Sequence, residues 1–588
     1  MPIELTNDQK NAVGKLRDFL RDKDSKQFLL EGYAGTGKTT ILQYLLNNVL
    51  FHHLDICFSA TTNKAVSVMK QMRSMLSDTC NNGNGNRHFK TIHKLLALTR
   101  DIQYDGSITW KLQDSIMKVK RGIREKNEKY KRLIDYDIIV VDEVSMINED
   151  MYSKINTILQ NKDVFTKVIW VGDRAQLPPV NEDTSPVFKR LEDTNYYYML
   201  TEVKRNHHQT IYDFQSVVRD LIKEQKKLNL TPFKPKQDDM FTILKKDEKK
   251  MLSSYFGMLE KNKPSIVLAY SNACVNRYNT IIRNQLRMNR NLKDNNDPYV
   301  PGEIILFNNF YLGKKLVFYT SEQAKVKSII YNCIDVKPFD TYISEQFSSH
   351  LSSYSENREK PDILKTMKSE EKKDTCPICL DDKISFKKTV CGHLFCKECI
   401  RKWLDAQKCC PLCRMVIKDN KIYLSNSDTF NKMLNDFYEL TQSIEIEVYE
   451  MVVIPELNIS EKVQQEYDIS DVIYVCKNKK QYDALCKEVT NKIKDIASFI
   501  FNRLKGSKSV QKMFLSALWK YYYENFVDVF ADVTYGYCIT THKSQGSTYE
   551  NCYVIMSNIL TACPKYKDAV RSLYTSVTRP SKSLTLYY

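Results

Sequence analysis

The stretch QFLLEGYAGTGKTTILQYLL (residues 27–46) determines the fold that is expected around it. An apolar run leads into a glycine-containing loop and then a helical pattern, and the loop has the phosphate-binding spacing Gly32-x4-Gly37-Lys38-Thr39. Backbone N–H groups of such a loop can surround phosphate oxygens, because glycine lets the backbone approach closely. The Lys38 ammonium would add charge at the β- and γ-phosphates, and the Thr39 hydroxyl would ligate magnesium. The stretch therefore predicts an α/β domain that binds a nucleoside triphosphate.

An acidic motif follows a second buried strand. Four apolar residues, IIVV (138–141), favour a central parallel strand, and Asp142 and Glu143 come directly after it. Ligands of open α/β sheets bind beyond the carboxyl ends of the strands. We therefore expect Asp142 to hold magnesium and Glu143 to orient or deprotonate the attacking water.

A third apolar strand, VIWV (168–171), leads into GDRAQLPP (172–179). Gln176 in this segment could sense both the γ-phosphate and the water. Together with the loop and the acidic motif, this segment predicts nucleoside triphosphate hydrolysis.

Composition limits the class of protein. The chain has 588 residues, enough for about four folded units at roughly 150 residues each, and a net charge of +17. That charge is consistent with an anionic partner. No apolar run approaches the roughly 18 residues of a membrane span, and the polar start MPIELTNDQKN is not a signal peptide. We expect a soluble intracellular protein, cytoplasmic or nuclear, with no membrane partner.

Further motifs stand in a fixed order along the chain. They resemble the motifs of superfamily 1 helicases, and most of all the RecD-like, Dda-like branch that moves 5′-to-3′. The matching segments are LTNDQ (5–9), GYAGTGKTT (32–40), ATTNKAV (60–66), TIHKLL (91–96), VVDEVSM (140–146), VGDRAQLPPV (171–180), VLAYSN (267–272), THKSQGST (541–548) and LYTSVTRP (573–580). The resemblance implies an ATP-dependent DNA helicase that uses magnesium and acts on single-stranded and tailed duplex DNA.

The resemblance also implies an α/β architecture of two RecA-like P-loop lobes with a pin hairpin. The stretches 314–332 and 443–454 alternate like antiparallel strands and predict a small β-barrel accessory domain. This domain is split by an insertion with the spacing Cys376-x2-Cys379-x11-Cys391-x-His393-x2-Cys396-x2-Cys399-x10-Cys410-x2-Cys413, which resembles an inserted two-zinc RING finger. Residues 352–374 have the charged composition of a linker, and the aromatic-rich helical stretch 487–530 is expected to pack. The expected divisions are 1–200 for the first lobe with a pin insertion at 97–134, 201–318 for the first part of the second lobe, 319–530 for the accessory β-barrel and helical region, 374–415 for the RING finger and 531–588 for the return to the second lobe.

Roles for individual residues follow from the matching motifs. Gln9 would read the adenine, and Arg205 and Arg579 would approach the γ-phosphate from the neighbouring lobe. The expected catalytic set is Lys38, Asp142, Glu143, Gln176, Arg205 and Arg579. The expected nucleotide-binding set is Gln9, Gly32, Tyr33, Ala34, Gly35, Thr36, Gly37, Lys38, Thr39, Thr40 and Gly546. Motifs that touch a single strand contain Thr61, Thr62, Asn63, His93, Thr541 and His542. The two histidines could equally be satisfied core residues.

A hairpin is predicted within DIQYDGSITWKL (101–112), where apolar residues alternate on both sides of Asp105-Gly106. The Asp-Gly pair suits a tight primed turn. In the resembled family this position carries the pin that splits the duplex. Tyr104 and Trp110 could stack on bases, or they could seal the hairpin against the motor.

Eight of the seventeen cysteines lie between Cys376 and Cys413, in a dense cluster that predicts metal binding in a chain without a secretion signal. Paired spacing supplies ligands for two tetrahedral zinc ions, and closed sets of four are structural. The order, with a histidine fourth, resembles the RING finger, which interleaves its pairs. That implies Cys376, Cys379, Cys396 and Cys399 on one zinc ion, and Cys391, His393, Cys410 and Cys413 on the other.

RING fingers commonly recruit a ubiquitin-conjugating enzyme and promote transfer without a nucleophile of their own. The matching surface would be Ile378, Trp403 and Pro411, and Arg414 resembles the arginine that contacts ubiquitin. A zinc-stapled protein-interaction module is the alternative, since so short a segment needs metal to fold.

Three functions remain open at this level. The first is a 5′-to-3′ DNA helicase that carries a RING finger, and the second is a RING-type ubiquitin ligase whose ATPase remodels nucleic acid without productive unwinding. The third, a nucleic-acid-binding scaffold with a degenerate motor, is disfavoured by the complete set of ATP-site residues. Residue patterns alone do not separate DNA from RNA.

Overall fold

Two parallel sheets and one antiparallel sheet organise the computed structural model. The structure describes residues 5–46, 54–77, 87–103, 105–112, 131–203, 208–224, 228–233, 240–290, 298–339, 369–379, 381–389, 393–406, 410, 412, 416–418, 421–423, 428–442, 444–455, 470–503 and 508–588. Within these ranges no helix has the length and apolar character needed to cross a membrane.

The strands in chain order are β1 Gln27–Gly32, β2 Ile56–Ala60, β3 Arg87–Thr91, β4 Thr99–Ile102, β5 Ile108–Lys111, β6 Ile138–Asp142, β7 Lys167–Gly172, β8 Tyr197–Leu200, β9 Phe241–Leu244, β10 Ser265–Ala269, β11 Ile304–Phe307, β12 Tyr311–Leu312, β13 Val317–Phe318, β14 Gln323–Asp335, β15 Ser369–Thr375, β16 Asp382–Lys388, β17 Leu394–Cys396, β18 Val416–Lys418, β19 Lys421–Tyr423, β20 Glu445–Pro455, β21 Asp471–Cys476, β22 Val533–Tyr535, β23 Cys538–Thr540, β24 Tyr549–Ile555 and β25 Pro580–Tyr587.

The α-helices in chain order are α1 Asn7–Arg21, α2 Lys38–Leu46, α3 Asn63–Ser77, α4 Ile92–Leu95, α5 Glu149–Leu159, α6 Pro186–Leu191, α7 Gln209–Glu224, α8 Glu248–Glu260, α9 Asn272–Asn289, α10 Lys397–Ala406, α11 Asp428–Thr441, α12 Lys479–Arg503, α13 Lys508–Tyr522, α14 Thr541–Ser544, α15 Met556–Ala562 and α16 Tyr566–Val577.

The first sheet has six strands in the order β3-β2-β6-β7-β1-β8, and every neighbouring pair is parallel. Its inner strands are buried on both faces, as the apolar runs at 138–141 and 168–171 predicted. Because the strands are parallel, the ends of β1, β6 and β7 meet at one edge. The phosphate-binding loop, Asp142 and Gly172 therefore share that edge.

The second sheet has five parallel strands in the order β23-β10-β24-β25-β9. It draws together chain segments that lie far apart in sequence, since β9 and β10 precede residue 270 and β23 follows residue 537. Buried apolar residues cover both of its faces. These sheets agree with the predicted α/β architecture of two parallel-sheet lobes.

The third large sheet is antiparallel, in the order β21-β20-β14-β11-β22. Its longest pairing, β14 with β20, joins the two alternating stretches that flank the cysteine-rich segment, as predicted. In the described part of the chain no pairing joins the edge strands β21 and β22, so closure into a barrel is not confirmed.

The cysteine-rich segment contains a small antiparallel sheet, β15-β16-β17, followed by helix α10. Residues 352–374 have the composition of a linker, yet 369–375 form strand β15, which pairs with β16. The expected linker is therefore wrong for the six residues 369–374, because cross-strand pairing overrides their charged composition.

The predicted hairpin is present as β4 and β5, with Ile102 opposite Ile108. Its connection is longer than the expected two-residue turn. Between the two strands, Gln103 N–H donates to the Ser107 carbonyl at 2.8 Å, and Gly106 has φ +83°. Gly106 of the Asp-Gly pair thus supplies a left-handed residue, but the strand ends are too far apart in sequence for a two-residue primed turn.

Candidate nucleotide site and zinc centre

The phosphate-binding loop is shaped by two glycines in the left-handed region, Gly35 with φ +83° and Gly37 with φ +79°. Lys38 then begins α2, and its Nζ donates to the carbonyl oxygens of Gly32 (3.0 Å) and Tyr33 (2.9 Å). Burial lowers the pKa of Lys38, and the carboxylates of the acidic residues across the cleft oppose that shift. The ammonium is therefore held inside the loop where phosphate oxygens would bind.

The acidic motif faces this loop directly. The Thr39 hydroxyl donates to Asp142 Oδ2 at 2.6 Å, which places an alcohol and a carboxylate oxygen side by side, as magnesium prefers. Glu143 has φ +55°, a left-handed conformation that costs a non-glycine residue of the order of 1 kcal/mol. Burial raises the pKa of Glu143, and the Asp142 charge raises it further. These are the properties of a carboxylate held for proton transfer.

Gln9 connects helix α1 to the loop. Its amide nitrogen donates to the Thr36 carbonyl at 2.9 Å, and its amide oxygen accepts from Thr6 N–H at 3.1 Å as part of a capping box. Gln9 lines the cleft beside α2, so its predicted adenine contact would require one of these bonds to rearrange.

A cleft of about 380 Å³ separates the two parallel-sheet lobes. Its lining combines residues of the first lobe with Gly546, Ser547, Thr548 and Arg579 of the second, and it includes most of the predicted catalytic and loop positions. The buried Gln176 side-chain oxygen has no hydrogen-bond partner in the described part of the chain, as expected of an acceptor kept for a bound group. The donor set therefore fits a nucleotide with magnesium.

Arg579 reaches the cleft from the loop between α16 and β25. Its guanidinium is buried and donates to Thr575 O (2.8 Å), Ser547 O (3.2 Å) and Thr578 Oγ1 (3.0 Å). The side chain is thus positioned by its own lobe before any nucleotide binds. Gln545 of the same lobe donates to Ser145 Oγ at 2.9 Å and crosses the cleft.

Three loop positions lie outside the cleft lining. Gly32 packs against Leu200, where a side chain would not fit, and Thr36 is buried beneath the loop. The Tyr33 ring stacks under the Arg219 guanidinium at 3.9 Å.

Arg219 is a functional candidate that the sequence analysis missed. It lies on α7, is 5% exposed in its side chain, and donates to Asp173 Oδ1 at 2.6 Å and to the Tyr574 hydroxyl at 2.8 Å. The same hydroxyl donates to Asp173 Oδ2 at 2.8 Å. These contacts join the edge of the first sheet to helices of the second lobe. A lone arginine on an amphipathic helix carries no local signal of such a role.

Residues predicted to touch a single strand fall into two groups. The His93 and Trp110 rings contact each other with centroids 5.4 Å apart, so hairpin strand β5 packs against helix α4. Burial lowers the pKa of both His93 and His542, which leaves both imidazoles neutral at pH 7. His542 lies 5.8 Å from the Tyr270 ring.

The other predicted strand-contact residues lie at helix starts. Thr61 and Thr62 precede helix α3, which Asn63 begins, and all three are partly exposed. Thr541 differs from these residues. Its hydroxyl is buried and lies 2.9 Å from Ser576 Oγ, so the structure gives its side chain a packing role and not the predicted contact with a strand.

Four cysteines form one candidate metal centre. The sulfur atoms of Cys376, Cys379, Cys396 and Cys399 all lie within 4.8 Å of one another, which is the interleaved set implied by the RING resemblance. Burial raises the pKa of Cys376, but the N–H groups of Cys379, Cys396 and Ile378 outweigh it and bring that pKa to about 6. A preformed set of four clustered cysteine sulfur atoms, which are soft ligands, fits zinc.

The second zinc centre is described only in part. Cys410 Sγ lies 3.6 Å from His393 Nδ1. On the expected partner surface Ile378 is 36% exposed and Trp403 is half-buried. The predicted residues Tyr104, Arg205, Cys391, Pro411, Cys413 and Arg414 lie outside the described residues.

Comparison with protein-family models gives three matches in chain order. Residues 4–229 match an AAA domain, residues 374–414 a Ring finger domain and residues 535–587 a UvrD-like helicase C-terminal domain. This order, with the Ring finger between two motor segments, is the order predicted from the motifs.

Similar proteins include R530, an uncharacterised protein of Acanthamoeba polyphaga mimivirus, at 24% identity over 98% of both chains. The E3 ubiquitin-protein ligase RNFT1 of Danio rerio is 52% identical over 46 residues, which are 8% of this chain and 11% of that protein. Among solved structures, the Pif1 helicase of Candida albicans aligns with 100% of this chain and 95% of its own at 13% identity and a TM-score of 0.40.

Proposed function

We propose, from the premise that this chain is a superfamily 1-type helicase with an inserted RING finger, that it is an ATP-dependent DNA helicase that moves 5′-to-3′ on a single strand and unwinds tailed duplexes. One observation carries the proposal: a single cleft is lined by Lys38, Asp142 and Glu143 of the first lobe and by Arg579 of the second. Because both lobes line the cleft, nucleotide binding and hydrolysis would change their relative position.

The chemistry follows from the positions of these groups. Lys38 would move from the loop carbonyls to the phosphates, while Thr39 and Asp142 would hold magnesium, which would offset charge on the transferred phosphoryl group. Glu143, with its raised pKa, would accept a proton from the attacking water, and Gln176 would orient that water. Arg579 would stabilise charge that develops at the γ-phosphate.

We also propose that residues beside this cleft contact the single-stranded DNA. The partly exposed start of α3, together with neutral His93 and His542, favours stacking and backbone contacts over ion pairs with phosphate. The β4–β5 hairpin would act as the pin, and the 5′-to-3′ direction rests on the motif resemblance.

The test is strand separation on duplexes with a 5′ tail, a 3′ tail or blunt ends, with ATP and magnesium. We expect opening of the 5′-tailed duplex alone, and none by Lys38→Ala. Opening of the 3′-tailed duplex would reverse the direction. Strand-stimulated ATP turnover without any opening would favour the alternative in which the motor only remodels nucleic acid.

A second activity, ubiquitin transfer by the RING finger, is proposed from a separate observation. The four clustered cysteines hold Ile378 at the surface beside the first zinc centre, where a ubiquitin-conjugating enzyme would dock. The match to RNFT1 over the same segment supports this proposal.

Autoubiquitination assays with a panel of conjugating enzymes test it. We expect activity in the wild-type chain and its loss in Ile378→Ala and Arg414→Ala at unchanged zinc content. Full zinc occupancy with no transfer by any enzyme of the panel would leave the RING finger as a binding module.

A further inference from the structure

The tip of the β4–β5 hairpin rests on the helical region that precedes β22. Gly106 lies so close to the Trp519 indole of α13 that any side chain at this position would overlap the ring. The Tyr523 hydroxyl donates to the Gly106 carbonyl at 3.1 Å. The indole N–H has no hydrogen-bond partner in the described part of the chain, so packing alone holds this ring.

Trp519 is 2% exposed and lies in a hydrophobic core that several modules share. Helices α11, α12 and α13 contribute to this core, and aromatic contacts run through it from Phe339 to Phe437 (4.6 Å between ring centroids) and from Phe339 to Tyr521 (5.2 Å). The same core includes three fully buried residues of the cysteine-rich module: Phe395, Ile400 and Cys410.

The cysteine-rich module has little core of its own. Its separate buried cluster consists of Cys376, Phe386 and Cys396. Phe395 of β17 and Ile400 of α10 are therefore buried in the same core as side chains of the accessory helices, so the module contributes to the accessory core. Each would expose apolar surface without the other.

We propose that the RING finger is a structural part of the support behind the pin, and that Trp519 and Tyr523 are the positioning residues through which this support reaches the hairpin. The strand-separation part rests on the proposed helicase function. A pin must resist the force of the incoming duplex, and an exposed two-stranded hairpin is only marginally stable by itself. Loosening the RING side of the shared core would therefore loosen the pin without touching the ATP cleft.

Hydrogen exchange of the full-length chain tests the proposal without requiring unwinding. The variants are Trp519→Ala at the contact, Ile400→Ala on the buried side of α10, and Arg401→Ala on the exposed side of the same helix as the matched control. We expect amide exchange within 99–111 to rise about tenfold in the first two variants and to stay unchanged in the control. Strands β1 and β6 serve as an internal reference for global unfolding.

A second readout compares unwinding with ATP turnover. For Ile400→Ala we expect about tenfold slower opening of a 5′-tailed duplex at unchanged strand-stimulated ATP hydrolysis. Tyr523→Phe, which removes the hydroxyl bond to Gly106 and keeps the ring, should show a smaller loss in the same direction.

Pin exchange in Ile400→Ala equal to that in Arg401→Ala would overturn the proposal, even if Trp519→Ala loosened the pin. If the wild-type chain opens no duplex, the helicase proposal fails, and the exchange data alone still decide whether the RING finger supports the hairpin.

Discussion

The nucleotide cleft and the RING finger depend on their surroundings in opposite ways. Each parallel sheet beside the cleft has buried clusters on both faces, so its edge is held by a core of its own lobe. Among its described residues, the RING finger has a three-residue buried apolar cluster around its first zinc centre, and its buried Phe395, Ile400 and Cys410 lie in the core that it shares with the accessory helices.

This contrast shows which residues determine the geometry of the cleft and which determine that of the RING finger. Catalytic geometry in the cleft comes from strand ends that a parallel sheet brings to one edge, so short motifs define it. The RING finger takes its local geometry from zinc ligands but its placement from distant hydrophobic residues. Perturbing one region should therefore leave the chemistry of the other intact, while the shared core transmits mechanical effects.

The largest expected effect is a loss of ATP hydrolysis that leaves the RING finger unchanged. Glu143→Gln removes the proposed base, and we expect ATP hydrolysis to fall by about 10²–10⁴-fold. The zinc content and the exchange protection of β16 and β17 should not change, because the buried cluster described for the RING finger contains none of the residues that line the cleft. Steady-state phosphate release and metal analysis measure the two quantities. Near-normal hydrolysis would assign the base to another residue.

Zinc removal tests the independence of the two regions by perturbing the RING finger instead of the cleft. A zinc-selective chelator, used with magnesium in excess, is expected to release the zinc and abolish exchange protection in β16 and β17, since metal binding supplies folding energy to so small a core. Strand-independent ATP hydrolysis should persist, because the cleft residues lie in lobes with their own cores. Parallel loss of basal hydrolysis and RING structure would contradict the proposed independence.

A third variant tests the link between the lobes. Arg219→Ala leaves the buried Asp173 carboxylate without its cationic partner, and we expect the free energy of unfolding of the motor to fall by about 3–5 kcal/mol. The exposed pair Arg277–Glu248 is the matched control, where Arg277→Ala should cost less than about 1 kcal/mol. Chemical denaturation followed by exchange at β7 measures both. Equal losses would show that Arg219 is not a buried anchor.

The smallest expected effect is a pH dependence confined to the cleft. Burial and then Asp142 raise the pKa of Glu143, and only the deprotonated carboxylate can accept a proton. Hydrolysis should therefore fall by about tenfold per pH unit below this raised pKa, starting at a higher pH than an ordinary glutamate with a pKa of about 4.3. The residual hydrolysis of Glu143→Gln should lack this acidic limb. An identical limb in the variant would place its origin elsewhere.

Much of the fold was predictable because its signals are local. The apolar runs at 138–141 and 168–171 became β6 and β7, and the alternating stretches beside the cysteines became β14 and β20. The first zinc set followed from spacing and resemblance, and its four sulfur atoms do converge. In each case the sequence pattern lies in the same segment that forms the strand or supplies the metal ligands.

What escaped prediction depends on tertiary contact. Arg219 has no motif of its own, and its role exists only because Asp173 and Tyr574 lie beside it in space. Trp519 was expected simply to pack, yet its ring also meets the hairpin tip. Strand β15 has the composition of a linker and is stabilised by β16. A sequence pattern indicates the structural preference of its own segment, but it does not identify the residues that the segment contacts in the folded chain.

The pairing of Asp335 with Glu445 brings the two ends of the RING-containing insertion next to each other on adjacent strands. An ancestral chain could have closed this gap with a short turn, so the module could have been gained in one genetic event without reordering the sheet. Losing the module would require more changes elsewhere in the chain than gaining it did. Once Phe395 and Ile400 had become part of the shared core, deletion of the insertion would uncover that core, and a lineage could discard the insertion only together with compensating changes in helices α12 and α13.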